Sequence, residues 1–284
     1  MIHAIVWDPD IGIDLGFFTI RYYSLMYVIG FIFGYWIIKK VFEREGENTE
    51  LLDPLLMYVF LGVIIGARLG HVFFYDWPYF KHHLLEIFLP VRFEPEFRFT
   101  GFQGLASHGA TIGIAVAVYL FWRKYKDKIV HRNFIWWLDR MVLAIPLGAA
   151  AIRIGNLINS EIVGKPTGSD YGFIFVQLGE DFPRHPVQLY EAIAYFVLLL
   201  IVLYLYWKTD VTRRYPGMLF GIFFTYLWAV RLILEIWKRP QRDIPSPLME
   251  WTGLTMGQIL SIPGLLIGLY FIYYGWKHQR NENP

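Results

Sequence analysis

The chain has 284 residues, 56% of them hydrophobic and 19% aromatic, with 18% charged and a formal net charge of +2. That balance excludes a soluble globular protein, the near-zero net charge says nothing further, and no nucleic-acid partner is expected. There is no cysteine, which excludes an enzyme thiolate intermediate, a disulfide framework and a thiolate metal site, so any thiol in the chemistry must arrive with a substrate.

The apolar residues fall into seven blocks, at about 17–38, 53–75, 104–122, 134–156, 187–207, 216–237 and 254–275. Each is close to the roughly twenty residues a helix needs to cross a hydrocarbon core. The pattern predicts an all-α, polytopic membrane protein with about seven transmembrane helices, forming a single integral domain over residues 1–284. The residues before the first block carry Asp8, Asp10 and Asp14 and no basic stretch. The first helix, rather than a cleaved signal peptide, is therefore expected to direct membrane insertion. Within that block, Phe17, Phe18, Tyr22 and Tyr23 surround Arg21, which reads as an anchor near a water boundary.

Basic residues collect in alternate loops: Lys39, Lys40 and Arg44; Arg123, Lys124, Lys126, Lys128 and Arg132; Lys208, Arg213 and Arg214; then Lys277 and Arg280. The positive-inside rule makes these cytoplasmic, with the amino terminus outside and the carboxyl terminus in the cytoplasm. The two long loops at about 76–103 and 157–186 then lie outside. The first of them is rich in Phe, Pro, His and Glu, and its Trp77 and Tyr79 suit an interfacial belt with the loop flat on the membrane. No internal repeat or inverted pair of interrupted helices is visible, which weakens a secondary-transporter reading.

Charged residues inside or beside apolar blocks cost several kcal/mol unless paired or functional. Arg68 lies in Gly66-Ala-Arg-Leu-Gly-His71 among small residues that permit close helix approach; it either holds a headgroup or ties two helices together. His71 reads as a packing histidine. The third block opens Gly104-Leu-Ala-Ser-His108-Gly, where His108 is either a cap or packed ring, or an approachable base with a pKa near neutrality. Asp139 and Arg140 read as a local ion pair or a snorkelling side chain.

The densest cluster is Arg153-Ile-Gly-Asn-Leu-Ile-Asn-Ser-Glu-Ile-Val-Gly164. A guanidinium with amide and carboxylate neighbours suits a phosphate headgroup. The fifth block opens His185-Pro-Val-Gln-Leu-Tyr-Glu191, where Gln188, Tyr190 and Glu191 form either an ordinary helix terminus or one wall of a polar cavity. Arg231 and Glu235 share a helix face, with Lys238 a turn later. That spacing permits a salt bridge at a helix end, or a carboxylate aiming Arg231 at an anion. In the predicted topology His108, Arg153, Gln188 and Lys238 all sit at the outer face. The histidines His71, His82, His83, His108 and His185 lack metal-ligand spacing with carboxylates, and no cofactor is implied.

These residues resemble the prolipoprotein diacylglyceryl transferase family. Arg153 to Gly164 is similar to its G-R-x-G-N-F-x-N-x-E-x-x-G signature, and Ser107 to Gly113 to its H-G-G-L-I-G motif. The run from His185 to Glu191 and the Arg231 and Glu235 pair also match, so the likeness covers essentially the whole chain. Ile152, Leu157, Ala110 and Lys238 depart from the family pattern without removing a charge or the histidine.

The resemblance implies transfer of a diacylglyceryl group from phosphatidylglycerol to the lipobox cysteine of a lipoprotein precursor's signal peptide. The product would be a thioether, the leaving group glycerol phosphate, and the setting the bacterial cytoplasmic membrane with the site toward its outer leaflet. On that reading Arg153 and Arg231 grip the phosphate and His108 takes the thiol proton. Asn156, Asn159 and Glu161 orient the headgroup, Gly164 allows close backbone approach, and Tyr23 lines the cavity, with Arg68, Gln188, Tyr190, Glu191, Glu235 and Lys238 as further substrate contacts. The alternative is a lipid or ion transporter, whose intramembrane charges would spread through both halves of the bilayer.

Overall fold

The computed structural model describes residues 4–16, 19–89, 91–93, 96–99, 104–131, 133–239 and 247–280. Phe17, Phe18, Arg132 and parts of the 76–103 loop lie outside the described residues.

Eleven helices are described: α1 (Tyr22–Glu45), α2 (Leu52–Tyr75), α3 (Trp77–Phe80), α4 (Ser107–Tyr125), α5 (Phe134–Met141), α6 (Ile145–Ile158), α7 (Val187–Lys208), α8 (Val211–Arg214), α9 (Met218–Leu234), α10 (Pro247–Thr252) and α11 (Met256–Lys277). Six helical stretches are long and apolar enough to cross a membrane: Tyr22–Glu45, Thr49–Tyr75, Phe134–Ile158, Val187–Lys208, Met218–Trp237 and Met256–Lys277. The protein is therefore a helical, multi-pass membrane protein. The remaining expected crossing, block 104–122, folds as α4. Its ends carry Ser107 and His108, and Arg123 and Lys124, which leave it less apolar than the other six.

Two local differences from the sequence pattern have clear causes. The first helix begins at Tyr22 rather than Phe17, because β2 (Gly12–Asp14) and β3 (Thr19–Arg21) pair as an antiparallel hairpin. The fourth block breaks between α5 and α6. Pro146 occupies the first turn of α6 and has no N–H to bond back into a preceding turn, so a new helix starts there.

The chain divides into two compact units, Met1–Val41 with Ile135–Pro284, and Phe42–Phe134. In the larger unit, Leu198, Val202 and Tyr206 of α7 pack with Leu219, Phe223 and Leu227 of α9 and with Val142 and Leu143. Asp139, fully buried on α5, accepts from the Gly217 N–H at 2.7 Å and the Phe220 N–H at 2.8 Å. A carboxylate from another helix thus satisfies the otherwise orphaned first turn of α9. Its neighbour Arg140 lies 3.9 Å from it and stacks over the Trp136 ring at 4.8 Å.

A second, smaller core stands under the signature segment. Leu157 and Val163 pack on Phe173 and Phe175 of β6 (Phe173–Phe175), which pairs in parallel with β1 (Ile5–Trp7). Trp7 donates its indole N–H to the Leu157 carbonyl at 2.8 Å.

In the smaller unit, α2 and α4 touch backbone to backbone. A Cβ at Gly66 or Gly113 would run into the other helix's main chain, which is why small residues recur there. Glu47 ties the turn after α1 to the segment after α4, accepting from the Val130 N–H at 2.8 Å and the His131 N–H at 3.1 Å. The loop after α2 carries β4 (Val91–Arg92) paired with β5 (Arg98–Phe99). It exposes Leu85, Phe88, Phe97 and Phe99, in keeping with an interfacial loop.

Candidate active site

Glu191, fully buried in the second turn of α7, is the hub of the larger unit's polar cluster. Arg153 Nε approaches its Oε2 at 2.8 Å, Lys238 Nζ donates to Oε1 at 3.0 Å, and Arg231 Nη1 lies 3.9 Å from Oε1. The three cations come from α6, from the segment after α9 and from α9 itself. The Tyr195 hydroxyl, one turn along α7, also donates to Glu191 Oε1 at 3.4 Å. Lys238 carries a second contact, to Glu235 Oε2 at 3.0 Å. Burial pushes the Lys238 ammonium below its ordinary pKa, while the Glu191 carboxylate pulls it back up.

The signature segment folds as the end of α6. The Glu161 N–H bonds to the Asn156 carbonyl at 2.9 Å and the Ser160 N–H to the Leu157 carbonyl at 3.1 Å. These two bonds close a Schellman cap, whose central residue takes left-handed backbone. Ser160 fills that position at φ 53°, and Ile162 follows at φ 55°, a costly conformation for a β-branched residue. The double turn carries Glu161 back over the helix. Its Oε2 accepts from Asn156 Nδ2 at 3.1 Å and its Oε1 from Asn159 Nδ2 at 3.2 Å, while Asn156 Oδ1 accepts from Arg153 Nη1 at 3.0 Å. Gln188, fully buried on α7, donates to the Glu161 carbonyl at 2.6 Å.

Gly164 is locked between neighbours: a Cβ there would meet the His185 carbonyl, the His185 Cβ and Val187. Its N–H donates to the His185 carbonyl at 3.1 Å, and its carbonyl accepts from buried Arg184 at 3.0 Å. The close backbone approach expected of this glycine is thus made to the protein's own chain. Tyr23 on α1 packs against Gly155, where a Cβ would lie 2.7 Å from its ring, and its hydroxyl is 3.2 Å from that of Tyr27. Tyr190 lies 3.4 Å from His185 Nδ1, and burial lowers the pKa of His185.

The structure therefore brings Arg153, Asn156, Asn159, Glu161, Gln188, Glu191, Arg231, Glu235 and Lys238 into one connected polar network, with Gly164, Tyr190 and Tyr23 on its framework. His108 and Arg68 belong to the smaller unit. His108 is buried in the first turn of α4, and Gly109 beside it presses on Gly66 and Gly70. Arg68 donates to the Ile87 carbonyl at 2.9 Å and the Glu86 carbonyl at 2.6 Å and stacks over Phe80 at 4.7 Å, so it ties a helix to the loop that follows. His71 packs against Tyr75 and Phe80. Among the described residues, no group of three or more His, Asp or Glu side chains could hold a metal ion.

Two buried guanidinium groups and an ammonium gathered at one place, beside amides on one helix end, are suited to an anionic group such as a phosphate. A family model described as prolipoprotein diacylglyceryl transferase matches residues 10–274. The chain belongs to the prolipoprotein diacylglyceryl transferase family. Phosphatidylglycerol–prolipoprotein diacylglyceryl transferases are similar over nearly the whole length. That of Porphyromonas gingivalis is 40% identical, covering 96% of this chain and 95% of its own. That of Bacteroides fragilis is 39% identical over 97% of both, and that of Chloroherpeton thalassium 39% identical over 98% of this chain and 97% of its own.

Tyr195, Trp7 and Thr255 are the network residues that sequence reasoning passes over. Thr255 caps α11 and its hydroxyl reaches Glu235 Oε1 at 3.4 Å. Tyr195 carries a usable signal, being four residues beyond Glu191 on the same helix face.

Proposed function

We propose that this chain transfers the diacylglyceryl group of phosphatidylglycerol to the thiol of the lipobox cysteine in lipoprotein precursors. The sulfur forms a bond to the glyceryl carbon, the carbon–oxygen bond to phosphate breaks, and glycerol phosphate leaves with the electron pair. Family membership, and relatives named for this reaction, support the chemistry. The convergence of Arg153, Arg231 and Lys238 on one buried carboxylate is the observation that carries it.

Arg153 and Arg231 hold the phosphate and stabilise the charge that grows on it as the bond breaks. His108 takes the proton of the incoming thiol, whose ordinary pKa of about 8.5 leaves it mostly protonated. Asn156, Asn159 and Glu161 orient the headgroup. Tyr23, Arg68, Gln188, Tyr190, Glu191, Glu235 and Lys238 complete the substrate surroundings, and Gly164 keeps the signature segment against His185.

The setting is the bacterial cytoplasmic membrane, with α4 as a seventh crossing, the amino terminus outside and the site toward the outer leaflet. The partners are phosphatidylglycerol and precursor signal peptides. Purified protein mixed in detergent with phosphatidylglycerol and a lipobox peptide should yield a diacylglyceryl–peptide thioether by mass spectrometry. Absence of that adduct, with lipid consumed nowhere else, overturns the reading. The same assay separates it from a transporter, which would move lipid or ions and leave the peptide unmodified.

A further inference from the structure

Three side-chain amides surround Glu161, and it fixes how each is turned. Its two carboxylate oxygens and its main-chain carbonyl can only accept, so Asn156, Asn159 and Gln188 must each present nitrogen to it. Their oxygens consequently face away. That of Asn156 is taken by Arg153. The oxygens of Asn159 and Gln188, and the hydroxyl of Ser160, have no hydrogen-bond partner among the described residues. Gln188 is 0% and Ser160 4% exposed. Buried acceptors are rarely left unmet, because the loss of water is then uncompensated.

Ser160 adds an independent sign. It occupies the left-handed position of a Schellman cap, where glycine is the usual residue. A residue that breaks a local preference, with its hydroxyl buried and unpaired, marks a place where function outweighs backbone comfort.

We propose that Asn159 Oδ1, Gln188 Oε1 and Ser160 Oγ form a hydroxyl-reading subsite for the terminal glycerol of an anionic phospholipid headgroup. It rests on the proposed function, because that headgroup is the donor's. The division of labour follows from charge and hydrogen-bond type. A phosphodiester offers only acceptors and takes the guanidinium groups, whereas glycerol hydroxyls offer the donors that the amide oxygens lack. An ammonium headgroup would also offer donors, but it would need Glu161 as its counter-ion, and each Glu161 carboxylate oxygen already accepts from an asparagine amide.

The test is competitive lipid binding to the purified full chain in detergent, read by native mass spectrometry. It uses phosphatidylglycerol against phosphatidylmethanol with identical acyl chains, an anionic lipid without hydroxyls. The wild-type chain should prefer phosphatidylglycerol by about tenfold or more, since a site built to bond a hydroxyl rejects the analogue lacking it. Gln188→Met should narrow the preference to about threefold or less by weakening phosphatidylglycerol alone. Ser160→Gly, which suits the left-handed backbone and so keeps the fold, should narrow it by a smaller factor. Equal binding of the two lipids by the wild-type chain overturns the proposal, as does full preference retained in both variants. Transfer to the peptide is scored separately. Preferential binding without a thioether adduct sinks the transferase reading and leaves the subsite standing; an adduct with equal binding does the reverse.

Discussion

Arg153 Nε and Glu191 Oε2 meet at 2.8 Å between α6 and α7, with both side chains almost entirely buried. Glu191 is therefore the counter-ion that Arg153, Arg231 and Lys238 share, and on the proposed reading the incoming anion joins it there. It gathers Arg153, Arg231 and Lys238 at one point, and Arg231 Nε keeps a donor without a hydrogen-bond partner among the described residues.

The first prediction concerns that counter-ion. Glu191→Gln removes the carboxylate that Arg153, Arg231 and Lys238 share, and breaking such a buried pair costs about 3–5 kcal/mol. In a chain of this size the melting temperature should fall by roughly 10 °C, followed by thermal unfolding in detergent. The double variant Glu191→Gln with Arg153→Gln should recover part of the loss, because it removes both ends of the pair. If the single variant melts with the wild type, the hub role is wrong.

Arg153 is expected to act through geometry as well as charge. Its Nη1 donates to Asn156 while its Nε lies 2.8 Å from Glu191 Oε2, two contacts from one guanidinium that the single ammonium of lysine cannot reproduce in the same geometry. Arg153→Lys should lower turnover of the peptide by about 10²-fold or more while the protein remains folded by circular dichroism. Equal activity in the two proteins would leave only charge as the requirement.

His108 tests the proton-transfer step. His108→Gln preserves a polar group of similar reach but cannot take a proton near neutrality. Turnover should fall by about 10²- to 10⁴-fold, and lipid binding by native mass spectrometry should hold. A variant with near-normal turnover would reduce His108 to a packed ring at the start of α4.

How much of this was readable from the sequence depended on whether the signal was local. The span blocks were, because lipid imposes long apolar runs, and so was the signature, whose charge and amides sit within twelve residues. The identity of the hub was not. Spacing pairs Arg231 with Glu235, yet Arg231 lies 3.9 Å from Glu191, while Glu235 bonds Lys238 at 3.0 Å. Glu235 keeps its place one helical turn from Arg231, its N–H bonded to the Arg231 carbonyl, but the chain past Trp237 brings the Lys238 ammonium back onto its carboxylate, a contact that i,i+4 spacing does not show. The small strands at Ile5–Trp7 and Phe173–Phe175 were hidden for another reason. Each is three residues long, too short for any alternation to register, and they pair across most of the chain.

The last prediction is a pH dependence in the loop after α2. Glu86 is buried there; its Oε1 accepts from the Phe93 N–H at 2.9 Å and its Oε2 from the Tyr79 hydroxyl at 2.6 Å. Burial alone would raise its pKa, but the Phe93 and Tyr79 bonds, with His83 and Arg92 nearby, outweigh it and hold the carboxyl below its ordinary range. A group depressed in the folded state releases its proton more readily there than in the unfolded chain. Its stabilisation is complete above the unfolded value of about 4.3 and drains away as pH falls through the lower folded value. Hydrogen exchange at the Phe93 amide, corrected for the intrinsic rate, should show steady protection from pH 7 to about 5 and progressive loss below about 4. In Glu86→Gln the amide should be less protected throughout and show no such step. Protection that stays flat to acid pH in the wild-type chain would mean the loop is held by Arg68 and its carbonyl bonds rather than by this carboxylate.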